Sequence, residues 1–187
     1  MANYADSTYR IYGDVASVDA LQKLMTQLEA EKENGNWVGH IVNALGGNEH
    51  LYVRGWWDSL EREDENTLTF HLESAWEPLN EAWDWICGKF EELTAYFIGE
   101  EPGCEVYLKR SLPERGWFSE NYYLDACLPD SEEYIHEYFD DIDSAFRFIE
   151  KLTDTNIITA DDIEALNLAW GVDHEDAYIY LHEYQEV

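Results

Sequence analysis

Short runs in which apolar residues alternate with polar ones give way, several times along the chain, to apolar residues three or four apart. Those changes of period predict strands exchanging with helices. Residues 7–12, Ser-Thr-Tyr-Arg-Ile-Tyr, predict a strand that Gly13-Asp14 ends. Val18, Leu21, Leu24, Met25 and Leu28 then recur at helical spacing, with Asp14 or Ser17 placed to cap and Gly35 lying beyond the end. The segment from Trp37 to His50 fits neither period. Leu51–Trp57 and Thr67–Leu72 are β-rich, and the charged run Glu61–Asn66 between them predicts a hairpin turn. Pro78 suits the first turn of a helix whose apolar stripe is Leu79, Trp83, Ile86, Phe90 and Leu93. Thr94–Ile98 and Glu105–Leu108 read as strands paired across Glu101-Pro102-Gly103, with Tyr122–Cys127 as a third.

Up to residue 128 this order is β-α-β-β-α-β with extra strands, the pattern of a ferredoxin-like sheet in an α+β protein. Leu128-Pro129-Asp130-Ser131 marks a boundary, so the expected domains are 1–128 and 131–187. Beyond it the periods predict a strand at Tyr134–Phe139, helices at Asp143–Leu152 and Asp161–Trp170, and a strand at Ala177–Tyr184, a β-α-α-β segment that is either separate or packed on the first domain. Thr159-Ala160-Asp161-Asp162 has capping-box spacing with Asp in place of Glu. The two strands echo each other, Tyr134-Ile135-His136-Glu137-Tyr138 against Tyr180-Leu181-His182-Glu183-Tyr184. Strand propensity accounts for most of that echo.

Charge changes the picture more than any other property. The chain carries 41 acidic and 11 basic side chains in 187 residues, a net of −30, yet it is 45% hydrophobic and 15% aromatic. That composition builds a core, so the acid belongs to a folded protein. From residue 131 onward 16 acidic face 2 basic side chains, and several sit inside predicted elements. Such a field repels nucleic acid, acidic membranes and polyphosphates and attracts basic protein surfaces. Cys87, Cys104 and Cys127 are an odd set without Cys-x-x-Cys spacing, against both a disulfide framework and a zinc site, and they favour a reducing compartment. No basic-then-apolar leader and no long apolar window occurs, so a soluble cytoplasmic protein is expected.

The opening Asn3-Tyr4, Tyr9-Arg10-Ile11-Tyr12-Gly13, the approach Glu73-Ser74-Ala75-Trp76-Glu77-Pro78 to a helix with Phe90, and Tyr96-Phe97 with Glu100-Glu101-Pro102-Gly103 resemble YubB-type ferredoxin-like domains. The likeness covers the first two thirds of the chain. It implies the ferredoxin-like fold and a setting on plasmids, phages and other mobile elements. It carries over no catalytic residue.

Chemical motifs are sparse. Gly46-Gly47 lack the following Lys-Ser of a phosphate loop and read as a turn. Asp141-Ile142-Asp143-Ser144 fails as a calcium loop, since Phe146 and Leu152 stand where glycine and glutamate are needed, so residues 140–143 read as an acidic helix start. His136 and His182 with Glu137 and Glu183 would make a metal site only if their strands paired side by side. Trp56, Trp57, Trp83 and Trp85 with so many carboxylates admit a glycosidase-like cleft as the enzymatic alternative. The expectation is a non-enzymatic protein with no metal and no cofactor. Its acidic surface, Glu137, Asp140, Asp141, Asp143, Asp154, Asp161, Asp162, Glu164, Asp173, Glu175 and Asp176, would mimic nucleic acid and bind a DNA- or RNA-binding host-defence protein, as anti-restriction and anti-CRISPR mimics do. The competing reading is an accessory protein whose charge only keeps it soluble.

Overall fold

In the computed structural model, which describes residues 3–31, 33–131, 133–171, 174 and 176–187, the first strand runs longer than its apolar core, as β1 (Tyr4–Gly13). Next come α1 (Val15–Glu31), α2 (Val38–Ala44), β2 (Gly55–Asp64), β3 (Thr67–Ala75), α3 (Asn80–Cys87), β4 (Leu93–Glu101) and β5 (Val106–Arg110). The chain then makes β6 (Tyr122–Cys127), β7 (Tyr134–Phe139), α4 (Ile142–Thr153), α5 (Ala160–Trp170), β8 (Tyr178–Glu183) and β9 (Gln185–Glu186). The fold is α+β, with sheets of order β2-β3-β1-β4-β5-β9 and β7-β6-β8. Two compact units result, 1–118 with 186–187, and 119–185.

The first unit is organised around Tyr9. Registers place it opposite Phe70 on β3 and Phe97 on β4, and its ring stacks on theirs at 5.5 and 5.1 Å. Trp83 of α3 lies against the same row, 4.6 Å from Phe70. Val18, Leu21 and Met25 bring the apolar stripe of α1 into this core, and Val38, Ile41 and Val42 bring that of α2, which is the helix held by the ambiguous 37–50 segment. Gly99 is needed where β4 crosses Ser7 and Pro78, because a Cβ there would come 2.3 Å from the Ser7 hydroxyl.

Several boundaries move for physical reasons. The charged run at 61–64 continues β2 instead of turning; Arg62 on it reaches Asp19 at 2.9 Å, and Glu63 meets Arg10 at 3.0 Å. The turn shrinks to Glu65-Asn66, with Asp64 Oδ1 accepting the Asn66 N–H at 2.8 Å. Pro78 lies just ahead of α3, which ends at Cys87, so Phe90 falls in the following turn and Leu93 opens β4. Gly46 and Gly47 form the expected turn, both at positive φ.

The larger correction concerns β6. It does not extend the first sheet but forms the centre of the second, antiparallel to β7 on one side and β8 on the other. The division between units therefore falls at residues 118 and 119, not at 128–131. Along β6, Leu124 and Ala126 face the helices, while Tyr123 and Cys127, on the other face, are also buried. The helix side holds this unit's core, with Phe146 and Ile149 from α4 and Ile163 from α5 packed on Leu124, Ala126 and Ile179.

Candidate binding surface

Residues 119–185 contain 18 acidic and 2 basic side chains, a net of −16. Glu137 stands on β7; Asp140, Asp141 and Asp143 surround the start of α4; Asp161, Asp162 and Glu164 occupy the first turns of α5; Asp176 precedes β8. All are exposed except the half-buried Asp162. Asp154 sits at the far end of α4 from Asp141, across a 12-residue helix of roughly 18 Å. Asp173 and Glu175 lie outside the described residues. The carboxylates thus form two clusters at helix starts plus outliers.

Some of these carboxylates are committed to holding the fold. Asp141 caps α4, accepting the Ser144 N–H at 2.8 Å and its hydroxyl at 2.9 Å, and those bonds hold its pKa below the usual value. Asp162 completes the capping box of α5, accepting from the N–H groups of Ile158 and Thr159 at 3.0 and 2.8 Å and from the Thr159 hydroxyl at 3.0 Å. Those contacts lower its pKa also. Asp140 accepts the Ser119 hydroxyl at 3.0 Å. Glu137, Asp143, Asp154, Asp161, Glu164 and Asp176 have no hydrogen bond or ion pair among the described residues. The first unit differs: Arg10, Arg62, Arg110 and Arg115 each hold an acidic partner, Glu63, Asp19, Asp84 and Asp64 respectively.

The face of the second sheet opposite its helices carries a polar aromatic array that the sequence reading did not single out. Registers place Tyr138, Tyr123 and His182 in one row, His136, Asp125 and Tyr180 in the next, and Tyr134, Cys127 and Tyr178 in the third. Tyr123 Oη lies 2.6 Å from His136 Nδ1, and Tyr178 donates to Asp125 at 3.1 Å. Burial, then the Asp125 charge, push the Tyr178 hydroxyl up to about 12. The echo between β7 and β8 was the available signal, since it puts like residues on one face. The metal geometry it suggested does not form: β6 separates the two strands, and Glu137 and Glu183 point to the helix side, away from His136 and His182. Of the four tryptophans that could line a cleft, Trp57 and Trp83 are buried in the core, and Lys89 covers Trp85 at 4.2 Å.

On the helix side, a groove of about 390 Å³ opens between β8 and the starts of α4 and α5. Phe146, Ile163, Ile179 and Leu181 form its floor, and Glu164 and Glu183 stand beside it. Asn167 of α5 lies along β8, its amide N–H donating to Ile179 O at 2.7 Å and its oxygen accepting the Ile179 N–H at 2.8 Å. Compared with known proteins, the chain matches no family model, no curated protein and no solved structure. Geometry and charge alone define it: an acidic α+β protein whose second unit combines uncommitted carboxylates with an apolar groove.

Proposed function

We propose that this is a non-enzymatic acidic binding protein whose second unit occupies the basic, nucleic-acid-binding surface of a partner protein in place of phosphates. The observation that carries the reading is the set of exposed carboxylates with no internal partner among the described residues, Glu137, Asp143, Asp161 and Glu164 on strand and helices and Asp154 just past the end of α4. Charges on an ordered backbone spare the partner complex the cost of ordering the main chain, and a field of one sign steers a basic partner quickly and salt-dependently. The strand order β2-β3-β1-β4, with helices in both crossovers, supports the ferredoxin-like reading of the first unit. With it goes the likeness to YubB-type domains and the host-defence setting, anti-restriction or anti-CRISPR, in a bacterial cytoplasm.

Affinity capture from host lysate at 50 and 500 mM salt tests the proposal. A nucleic-acid-binding partner retained only at low salt and displaced by duplex DNA supports it; the absence of any basic partner overturns it. Neutralising Glu137, Asp143, Asp154, Asp161 and Glu164 to Gln or Asn should weaken capture more than neutralising Glu33, Glu49, Glu61, Glu91 and Glu114 of the first unit. Equal weakening would reduce the effect to net charge. Asp141 and Asp162 are left intact because their loss would unfasten a helix.

A further inference from the structure

Strand β8 is an edge strand, bonded to β6 on one side only. Both backbone groups of Ile179 bond to the Asn167 side chain, so they point away from β6. Backbone groups alternate sides along an antiparallel strand, which turns the N–H and C=O of Leu181 and Glu183 outward as well. Neither residue has a hydrogen-bond partner on that side among the described residues. Asn167 thus does what one residue of a neighbouring strand would do, at Ile179, and the next two positions of the edge stand open beside the groove.

Open edge, apolar floor and acidic flank coincide there. Leu181 contributes its backbone to the edge and its side chain to the floor, together with Phe146 and Ile163. Glu183 likewise presents backbone and carboxylate, and Glu164 faces the same groove from α5. An edge strand takes an added strand through main-chain bonds, while a pocket beside it selects every second side chain. Carboxylates at the rim favour cations on the incoming segment, whose aliphatic stems also cover apolar surface.

We infer that β8 is a docking edge for an extended, basic segment of a partner protein. That segment pairs with Leu181 and Glu183, sets one apolar side chain in the groove, and places Lys or Arg against Glu164 and Glu183. The inference rests on the proposed capture of a basic partner and adds where the contact is made and in what conformation.

The test uses the full chain and three synthetic probes in 150 mM salt. One is the acetylated, amidated heptapeptide Thr-Lys-Val-Leu-Val-Lys-Thr, whose Leu and two Lys share one face as Leu181 and Glu183 do; another is Thr-Lys-Gly-Ser-Gly-Lys-Thr with the same charge; the third is the first peptide N-methylated at Leu and both Lys. The first peptide should bind at least tenfold more tightly than the glycine-serine peptide, lose about tenfold on N-methylation, and shift the amide resonances of Leu181 and Glu183. Replacing Glu164 and Glu183 by Gln should weaken it several-fold. Both side chains are exposed, and an unchanged circular dichroism spectrum will verify folding. Equal affinity for the two unmethylated peptides, no binding of either, or indifference to N-methylation overturns the docking edge. The lysate capture is decided separately, because a basic partner sensitive to the five-carboxylate variant but not to Glu164→Gln with Glu183→Gln keeps the proposed function and removes only this site.

Discussion

Replacing Asn167 by Ala removes the two side-chain bonds, 2.7 and 2.8 Å, that cover the β8 backbone at Ile179. Each such bond contributes a net of about 0.5–1.5 kcal/mol, so the pair contributes about 1–3 kcal/mol. The site is half-buried, which keeps water from fully replacing either bond. Urea denaturation followed by circular dichroism should show that loss, and the Ile179 amide should exchange faster with solvent. Asn156→Ala, at an exposed asparagine without a side-chain bond among the described residues, is the control and should change stability little. Asn167→Asp sharpens the test: at neutral pH it keeps the acceptor for the Ile179 N–H but sets a carboxylate against the Ile179 carbonyl. It should be at least as destabilising as Ala there and recover in part when acid restores a donor. A loss under about 0.3 kcal/mol for Asn167→Ala, or one equal to that of Asn156→Ala, would refute the assignment of the edge and weaken the docking geometry built on it.

Other expectations follow from groups whose titration the fold perturbs. Burial pulls the His71 pKa down, but Asp6, 2.7 Å from its Nε2, and Asp58 outweigh that and raise it above 6.5. A raised histidine stabilises most below its unfolded pKa and loses that effect as the pH rises through the folded value, so His71→Asn should lower the urea midpoint more at pH 5.5 than at pH 8.5, roughly bracketing that transition. Equal losses would exclude the Asp6 pairing. Burial pushes the Cys87 thiol up to about 12, and a hydrogen bond to Glu101 raises exposed Cys104. Iodoacetamide mapped by mass spectrometry should therefore label Cys104 ahead of Cys87, and Glu101→Gln should speed Cys104 labelling; faster labelling of Cys87 would contradict its burial.

The first unit was largely legible because its periods are local and strong: the Val18, Leu21, Met25 stripe of α1 and the Leu79, Trp83, Ile86 face leading into α3 name their own buried sides. The Thr159 to Asp162 box and the acidic start of α4 were legible for the same reason, since caps are set by residues three apart. The partner of β6 was not. Tyr-Tyr-Leu-Asp-Ala-Cys suits any covered strand, and its choice of β7 and β8 depends on residues up to 61 positions away. The same non-local pairing separates His136 from His182 and builds the tyrosine array and the groove, none of which has a linear spacing to read. In the 61–64 run charge misled, because a strand at a sheet edge carries charged side chains without ceasing to be a strand.

Committed and uncommitted carboxylates should also separate in pH. The net charge of −30 counts the six histidines as neutral. Protons bound on going from pH 8 to pH 5 lower the magnitude of that charge, and His71, held above 6.5 by Asp6 and Asp58, takes up one of them. That change relieves repulsion within the folded chain. The caps respond in the opposite sense: Asp141 and Asp162 have folded pKa values below 3.8, so what they add is present above that value and lost as the pH falls through the folded one. Relief therefore comes first and uncapping later, and stability should rise on going from pH 8 to pH 5 and fall only in stronger acid. In about 20 mM salt the urea midpoint should show the rise clearly, and in about 0.5 M salt the rise should shrink, because screening has already removed much of the repulsion. Repeating the series with His71→Asn removes that one local pair from the slope. A midpoint that is flat or falls toward pH 5 at low salt, or a rise that salt leaves unchanged, would mean that the acid surface is tolerated at no cost, and the charge would then give no energetic reason for a basic partner.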